Sequence, residues 1–276
     1  MKNTFNFNKF IHEYKKNYPN KNIPNKDFLE WFIGFSEGDG CFTNSKNNNI
    51  LFIIFQSNKD KEVLKIIQDN LGFGSINKQN KNVDRFIVRK KSDINIIINI
   101  FNGNIILPSK KFQFKKWIVN KDITINNNII IPSNNNFWIS GFTDAEGCFQ
   151  CSILSNSIHA YRFRYIVAQK HKINKPILEQ FVILFGGYVN KHYIKDVYQY
   201  TLNGVRNINN IIKYFEKYNL KSKKIKSYTI WKNIYYKIKN KEHIDSISRA
   251  HIKYLSKTIN KLKSQPGKED VVQYNS

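Results

Sequence analysis

The residues best suited to do chemistry come in two near-copies. One reads Trp31-Phe32-Ile33-Gly34-Phe35-Ser36-Glu37-Gly38-Asp39-Gly40-Cys41-Phe42, the other Trp138-Ile139-Ser140-Gly141-Phe142-Thr143-Asp144-Ala145-Glu146-Gly147-Cys148-Phe149. Each is an apolar stretch at helical spacing that ends in two carboxylates interleaved with small residues. A helix C-terminus carries partial negative charge and disfavours acids, so something positive is needed there. A divalent cation with hard oxygen ligands meets that need. Two such helices side by side would bring one carboxylate from each copy to a shared metal cluster. Gly34 and Gly38, like Gly141 and Ala145, recur one turn apart and would let the two backbones approach across a pseudo-twofold axis.

The duplication continues downstream. Gln56 answers to Gln169, Leu71 to Leu184, Phe101 to Phe215, Phe114 to Tyr228 and Trp117 to Trp231. The one sizeable slip falls between motif and glutamine, where Ser155 to His159 reads as a hairpin insertion. A unit of roughly a hundred residues is a duplicated domain, not a solenoid repeat.

Each copy reads as αββαββα. Asp27 and Glu30 make a plausible capping box for a helix over Phe28 to Glu37, and Asn136 can cap its counterpart. Alternating strands follow at Cys41 to Ser45 and Ile50 to Gln56, and at Cys148 to Ser155 and Tyr161 to Gln169. Helices over Lys59 to Asn70 and Pro176 to Phe185 lead into second hairpins, Ser75 to Gln79 with Val83 to Arg89 and Tyr188 to His192 with Val197 to Leu202. A helix then starts at Ser92 or Asn207. The expected organisation is an N-terminal extension (1–24), a first half-domain (25–119), a polar linker (120–135), a second half-domain (136–239) and a basic helix and tail (240–276). In that last segment Ile244, Ile247, Ala250 and Tyr254 give a weak helical period, and Lys253, Lys257, Lys261 and Lys263 suggest a helix flanking a polyanion.

Composition narrows the partner. With 45 Lys+Arg against 20 Asp+Glu, the net charge of +25 points to nucleic acid. The 41% hydrophobic content, with 21 Phe and 15 Tyr, supplies real cores. No apolar run is long enough for a bilayer, so no membrane partner is expected. Asn-rich tracts such as Asn126-Asn127-Asn128 read as AT-rich coding. Met1 to Asn20 has neither a secretory apolar core nor an Arg-rich transit pattern, so an organellar location would follow from being encoded in the organelle. Three cysteines exclude a disulfide framework. Cys148 and Cys151 form a lone CxxC whose thiols, on a strand, point to opposite faces, so packing outweighs a zinc or redox role.

The doubled motif and its downstream landmarks resemble a monomeric LAGLIDADG homing endonuclease with both repeats on one chain, over about residues 25 to 235. The resemblance implies an α+β fold in which the motif helices form the central interface and two antiparallel sheets make a saddle over the DNA major groove. It implies site-specific double-strand cleavage by Mg²⁺-dependent phosphodiester hydrolysis, leaving 3′ overhangs and promoting intron mobility. Ca²⁺ is expected to support binding without cleavage. Carried over by position, Asp39 and Glu146 bind metal, while Glu37 and Asp144 are structural acids that would bond backbone amides of the partner motif. Gln56 and Gln169, with Lys110 and Lys224, would flank the scissile phosphates; Lys111 and Lys223 are close enough to compete for the lysine role. The alternative within the family is an RNA maturase acting on the host intron transcript. The expected location is mitochondrial.

Base reading would fall to strand positions facing away from the core. In the first copy these are Thr43, Ser45, Asn47, Asn49, Leu51, Ser75, Asn77, Gln79 and Arg85. In the second they are Gln150, Ser152, Arg162, Arg164, Tyr188, Asn190, His192, Gln199 and Thr201. Arg suits guanine and Asn or Gln adenine, and a one-residue register error would exchange the whole set for core residues.

Overall fold

The computed structural model describes residues 4–45, 49–119 and 121–259. A leading helix, α1 (Asn8–Asn17), precedes the first repeat: α2 (Lys26–Asp39), β1 (Gly40–Asn44), β2 (Ile50–Ser57), α3 (Lys61–Leu71), β3 (Ser75–Lys78), β4 (Val83–Val88), α4 (Lys91–Phe101) and α5 (Pro108–Trp117). The second repeat has the same order: α6 (Trp138–Glu146), β5 (Gly147–Ile153), β6 (Tyr161–Lys170), α7 (Lys175–Phe185), β7 (Tyr188–Lys191), β8 (Val197–Asn203), α8 (Asn209–Lys217) and α9 (Lys224–Lys239). It is followed by α10 (Ser246–Thr258). Each repeat therefore adds one helix to the expected αββαββα order.

Each sheet is fully antiparallel with its first hairpin joined to its second through the inner strands, in the orders β1-β2-β4-β3 and β5-β6-β8-β7. The helix-facing side of each sheet carries the same aromatic nest. Phe42 is packed by Phe52, Phe101, Phe114 and Trp117 at centroid distances of 5.0–5.6 Å. Its counterpart Phe149 is packed by Tyr165, Phe215, Tyr228 and Trp231 at 5.0–5.7 Å. Tilted and edge-on pairs of this kind add about 0.5–1.5 kcal/mol each beyond their buried area. The last helix of each repeat also pins the first strand: Trp117 Nε1 donates to the Thr43 carbonyl (2.9 Å) and Trp231 Nε1 to the Gln150 carbonyl (3.2 Å).

Packing divides the chain into two compact units, one of residues up to Pro132 together with Asn136–Ala145, the other chiefly of residues from Glu146 onward. The second motif helix thus packs with the first unit up to Ala145. Two sequence expectations are corrected. The cap of α2 is Asn25, whose side chain accepts from the Phe28 amide (2.8 Å), and not an Asp27–Glu30 box. Glu30 is instead buried and accepts from the Phe137 amide (3.2 Å). In α10 the expected inward face is outside: Ile247 is 80% and Tyr254 66% exposed, whereas Ile252 is buried.

The terminal and linker segments have structural partners that periodicity does not reveal. Tyr14 of α1 bonds the Leu71 carbonyl (3.0 Å), and Tyr18, just after the helix, bonds Asp93 (2.6 Å), bracing the helices of the first unit. Asparagines dock the linker: Asn102 accepts from the Asn126 amide (2.8 Å) and donates to the Thr124 carbonyl (3.0 Å). No helix among the described residues is long and apolar enough to cross a membrane.

Candidate functional site

The two motif helices meet at their glycines. A Cβ on Gly34 would overlap the Trp138 carbonyl and crowd the Phe142 amide; one on Gly141 would overlap the Trp31 carbonyl and crowd the Phe35 amide. Absence of a side chain on both is what permits this backbone contact. The hydrogen bonds across the pair are reciprocal too. Trp31 Nε1 donates to Asp144 Oδ2 (2.8 Å) and Trp138 Nε1 to Glu37 Oε1 (2.9 Å). For Glu37 a partner-motif amide was expected as the donor; the partner supplies an indole N–H instead, and Trp31 likewise donates its indole N–H to Asp144. The amides that reach Glu37 are those of Ile106 (2.9 Å) and Leu107, just before α5. Burial pushes the Glu37 carboxyl up to about 7, against these three N–H donors and the nearby Lys110 charge. Glu37 is a structural acid, fully occupied by the fold.

Asp39 is the last residue of α2 and is half-buried. Gln56 Nε2 donates to its Oδ2 (2.6 Å), fixing the carboxylate plane. Lys110, in the first turns of α5, reaches the Gly40 carbonyl next to Asp39 (2.5 Å), whereas Lys111 turns to the linker carbonyl of Asn128 (2.6 Å). Between the two candidate lysines of the first copy, geometry therefore groups Lys110 with Asp39 and Gln56. In the second copy Glu146 ends α6 and is half-buried, Gln169 is buried in β6, and Lys224 opens α9. Lys224 is only 6% exposed, an unusual position for an ammonium, while Lys223 is half-buried. Neither α2 nor α6 has a basic residue in its last turn. Cys148 and Cys151 lie on opposite faces of β5, and burial pushes the Cys151 thiol up to about 12. Among the described residues no group of three or more His, Cys, Asp or Glu could hold a metal by itself.

The strand register puts the remaining candidates in rows. On the second sheet Ser152 faces Arg162; Gln150, Arg164 and Asn203 form one row; Ile166, Thr201 and Tyr188 another; Ala168, Gln199 and Asn190 a third. All lie opposite Phe149, Phe163 and Tyr165. On the first sheet Thr43 faces Leu51, Ser75 faces Ile87, and Asn77, Arg85 and Phe55 share a row. Beyond the strand ends Ser45, Asn49, Gln79 and His192 continue these faces in the turns; Asn47 lies outside the described residues. Thr201 is buried and its hydroxyl accepts from Gln199 (3.0 Å), so it orients the Gln199 side chain and is not itself a surface contact. Arg85 and Arg164 each carry a buried Nε with no hydrogen-bond partner, one on each sheet. The same outer face continues one step further along β8 and β6 to Asn203 and Lys170, positions the sequence analysis does not single out.

The sequence pattern of the LAGLIDADG endonuclease family matches residues 32–120 and again 139–235. The chain belongs to that family. As a LAGLIDADG protein it is similar to "Probable intron-encoded endonuclease 4" of Neurospora crassa, with 39% identity over 85% of this chain, although it spans only 44% of that relative's length. It is 28% identical, over 82% of its length and 71% of the relative's, to the "Uncharacterized cox1 intron-2 37.2 kDa protein" of Schizosaccharomyces pombe. A shorter stretch, 48% of this chain and 21% of the relative, is 31% identical to the "Intron-encoded RNA maturase bI4" of Saccharomyces cerevisiae. The fold matches that of the meganuclease I-SmaMI, solved bound to uncleaveable DNA, with a TM-score of 0.72 at 20% identity, covering 85% of this chain and 99% of that one.

Proposed function

We propose that this LAGLIDADG chain is a site-specific DNA endonuclease that hydrolyses both strands of a long target with Mg²⁺, leaves 3′ overhangs and promotes mobility of the intron encoding it. The observation that carries the reading is the grouping of Asp39, Gln56 and Lys110 at the end of a motif helix whose last turn has no basic residue of its own. A hard carboxylate at the negative end of a helix, oriented by an amide, suits Mg²⁺ or Ca²⁺. Asp39 and Glu146 would hold the cations. A bound divalent cation supplies Lewis acidity at the scissile phosphate.

The protein's own groups do the rest. Gln56 keeps the Asp39 carboxylate oriented, and Lys110 adds positive charge where the phosphorane-like transition state gathers negative charge. The two sheet faces bind and read the duplex, Arg164 and Arg85 among their cationic side chains. A mitochondrial, organelle-encoded origin and a monomeric state are proposed with this reading, the former on the intron-encoded character of the relatives. RNA maturation is the second reading, favoured by the maturase among the relatives.

Selection of cleaved sequences from a randomised duplex library in Mg²⁺ tests the first reading, with one discrete site as the expected outcome. Ca²⁺ should give binding without cleavage. Affinity for that site should fall with salt at a log-log slope of about −7 if ~8 phosphates are neutralised. No cleaved site, together with tight binding of the intron transcript at the same salt, would move the function to RNA.

A further inference from the structure

Beyond the family match, which ends at residue 235, the guanidinium of Arg249 reaches back from α10 into the turn between β5 and β6. Nη1 donates to the carbonyls of Ile158 (2.5 Å) and His243 (3.0 Å). Nη2 donates to those of Leu154 (2.5 Å), Ser157 (2.8 Å) and Ala160 (3.3 Å). The carbonyls of the turn therefore converge on one planar cation. Such an arrangement of like dipoles is unstable without a positive centre, and only a fork of several N–H donors can serve it from one side chain.

The platform that carries Arg249 is itself anchored. Asp245 caps α10 through the Ser248 amide (2.8 Å), Ile252 is buried, and Ser227 bonds the Ile259 carbonyl (2.6 Å). Lys237 pairs with Glu242 (3.0 Å) across the turn from α9. Buried His243 meets Tyr161, the first residue of β6, edge-on at 5.1 Å. The turn adjoins the end of the reading face: Leu154 bonds Ala160 (3.0 Å), then Ile153 faces Tyr161 and Ser152 faces Arg162. The segment expected to be a basic flank of the DNA thus spends its arginine inward, on the hairpin.

We propose that Arg249 is a positioning residue for base recognition: by closing the β5–β6 turn from outside, it sets where Ser152 and Arg162 stand, without touching DNA itself. The proposal rests on the endonuclease reading. A substitution that keeps the charge but not the fork separates positioning from attraction to phosphate, because lysine has one nitrogen where arginine has two aimed at five oxygens.

The test uses the full chain with Arg249→Ala, Arg249→Lys and, as a control on the exposed side of the same helix, Lys253→Ala. Without DNA, amide hydrogen exchange at Leu154 and Ala160 should accelerate roughly tenfold or more in both Arg249 variants and not in the control. On the target selected by the wild-type protein, both Arg249 variants should lose roughly tenfold of the base preference at the one or two base pairs read beside Arg162. The other half-site profile and the cleavage rate at saturating DNA should stay within about twofold. A merely destabilised protein would lower the active fraction and leave base preference alone. If Arg249→Lys restores the profile, or if Arg249→Ala loses affinity uniformly, Arg249 acts by charge and the proposal is wrong. A wild-type protein that selects a site while both variants keep its full profile refutes the Arg249 role alone; a wild type that selects no site refutes the endonuclease reading and the recognition role with it. Should the alanine variant not fold, Arg249→Lys and Arg249→Gln carry the same comparison.

Discussion

The two repeats share their interior and differ at their edges. The nests around Phe42 and Phe149 are the same arrangement residue for residue, down to the tryptophan that pins the first strand. The first unit is braced by a helix at its N-terminal end, through Tyr14 and Tyr18, the second by a helix at its C-terminal end, through Arg249. The first closes its β1–β2 turn locally, the Ser45 amide bonding the Asn49 carbonyl (2.8 Å) and the Asn49 amide the Ser45 hydroxyl (3.1 Å). Where the outer face of the second sheet carries Arg162 and Arg164, the first has Asn49 and Leu51. Packing sets the interior, which tolerates little; the edges carry fewer packing constraints and differ between the copies.

The sharpest way to break this comparison is at the acids. Asp39→Asn and Glu146→Gln should each lower double-strand cleavage by about a hundredfold or more while leaving gel-shift affinity nearly intact. Full activity in either variant removes that residue from the metal site. Unequal single-strand nicking by the two variants would show that the Asp and Glu ends are not equivalent.

Glu37 gives the next largest effect, on stability. Its pKa is raised in the folded state to about 7 from the usual 4.5, so its contribution is fully present below pH 4.5 and is lost as pH rises to 7. A loss on the order of 2–3 kcal/mol across that window is expected, and Glu37→Gln should flatten the profile of urea midpoints against pH. An unchanged slope in the variant would mean that Glu37 stays ionised throughout.

The glycines sharpen the symmetry of the helix pair. Gly34→Ala and Gly141→Ala should destabilise by similar amounts, about 1–3 kcal/mol each, measured by denaturant unfolding. A large cost for one and none for the other would show that the contact is not reciprocal.

The smallest expected effect separates the sheet faces. Arg164→Ala should relax preference at one or two base pairs of one half-site, by about 1–3 kcal/mol of discrimination, while Leu51→Ala changes little. A uniform affinity loss across all sequences would make Arg164 a phosphate contact.

Much of this was legible because it repeats. The motif helices, both hairpins of each copy and the alternation of Arg162 and Arg164 with Phe163 and Tyr165 rest on local periodicity seen twice. What escaped depends on contacts distant in sequence. Nothing local distinguishes Asn25 from Asp27 as the cap until Glu30 is drawn away by the Phe137 amide. The Asn-rich linker looked compositional, yet Asn102 and Asn126 hold it in place. The period in α10 misleads because exposed Ile247 and Tyr254 outnumber the one residue, Ile252, that faces inward. Choosing Lys110 over Lys111 required the position of the Gly40 carbonyl.

The reciprocal bonds Trp31–Asp144 and Trp138–Glu37 make the motif pair isologous: each surface offers the other an indole donor and a carboxylate acceptor in the same places. Two separate, identical chains could form that contact equally well, so joining the copies was not required to make the pairing. What the tether supplies is independence of inheritance. A homodimer must duplicate every substitution on both sides of its axis, and so is confined to near-palindromic partners. Here a difference such as Leu51 against Arg164 on the outer sheet faces, or Asp39 against Glu146 at the helix ends, is made once and felt on one side only.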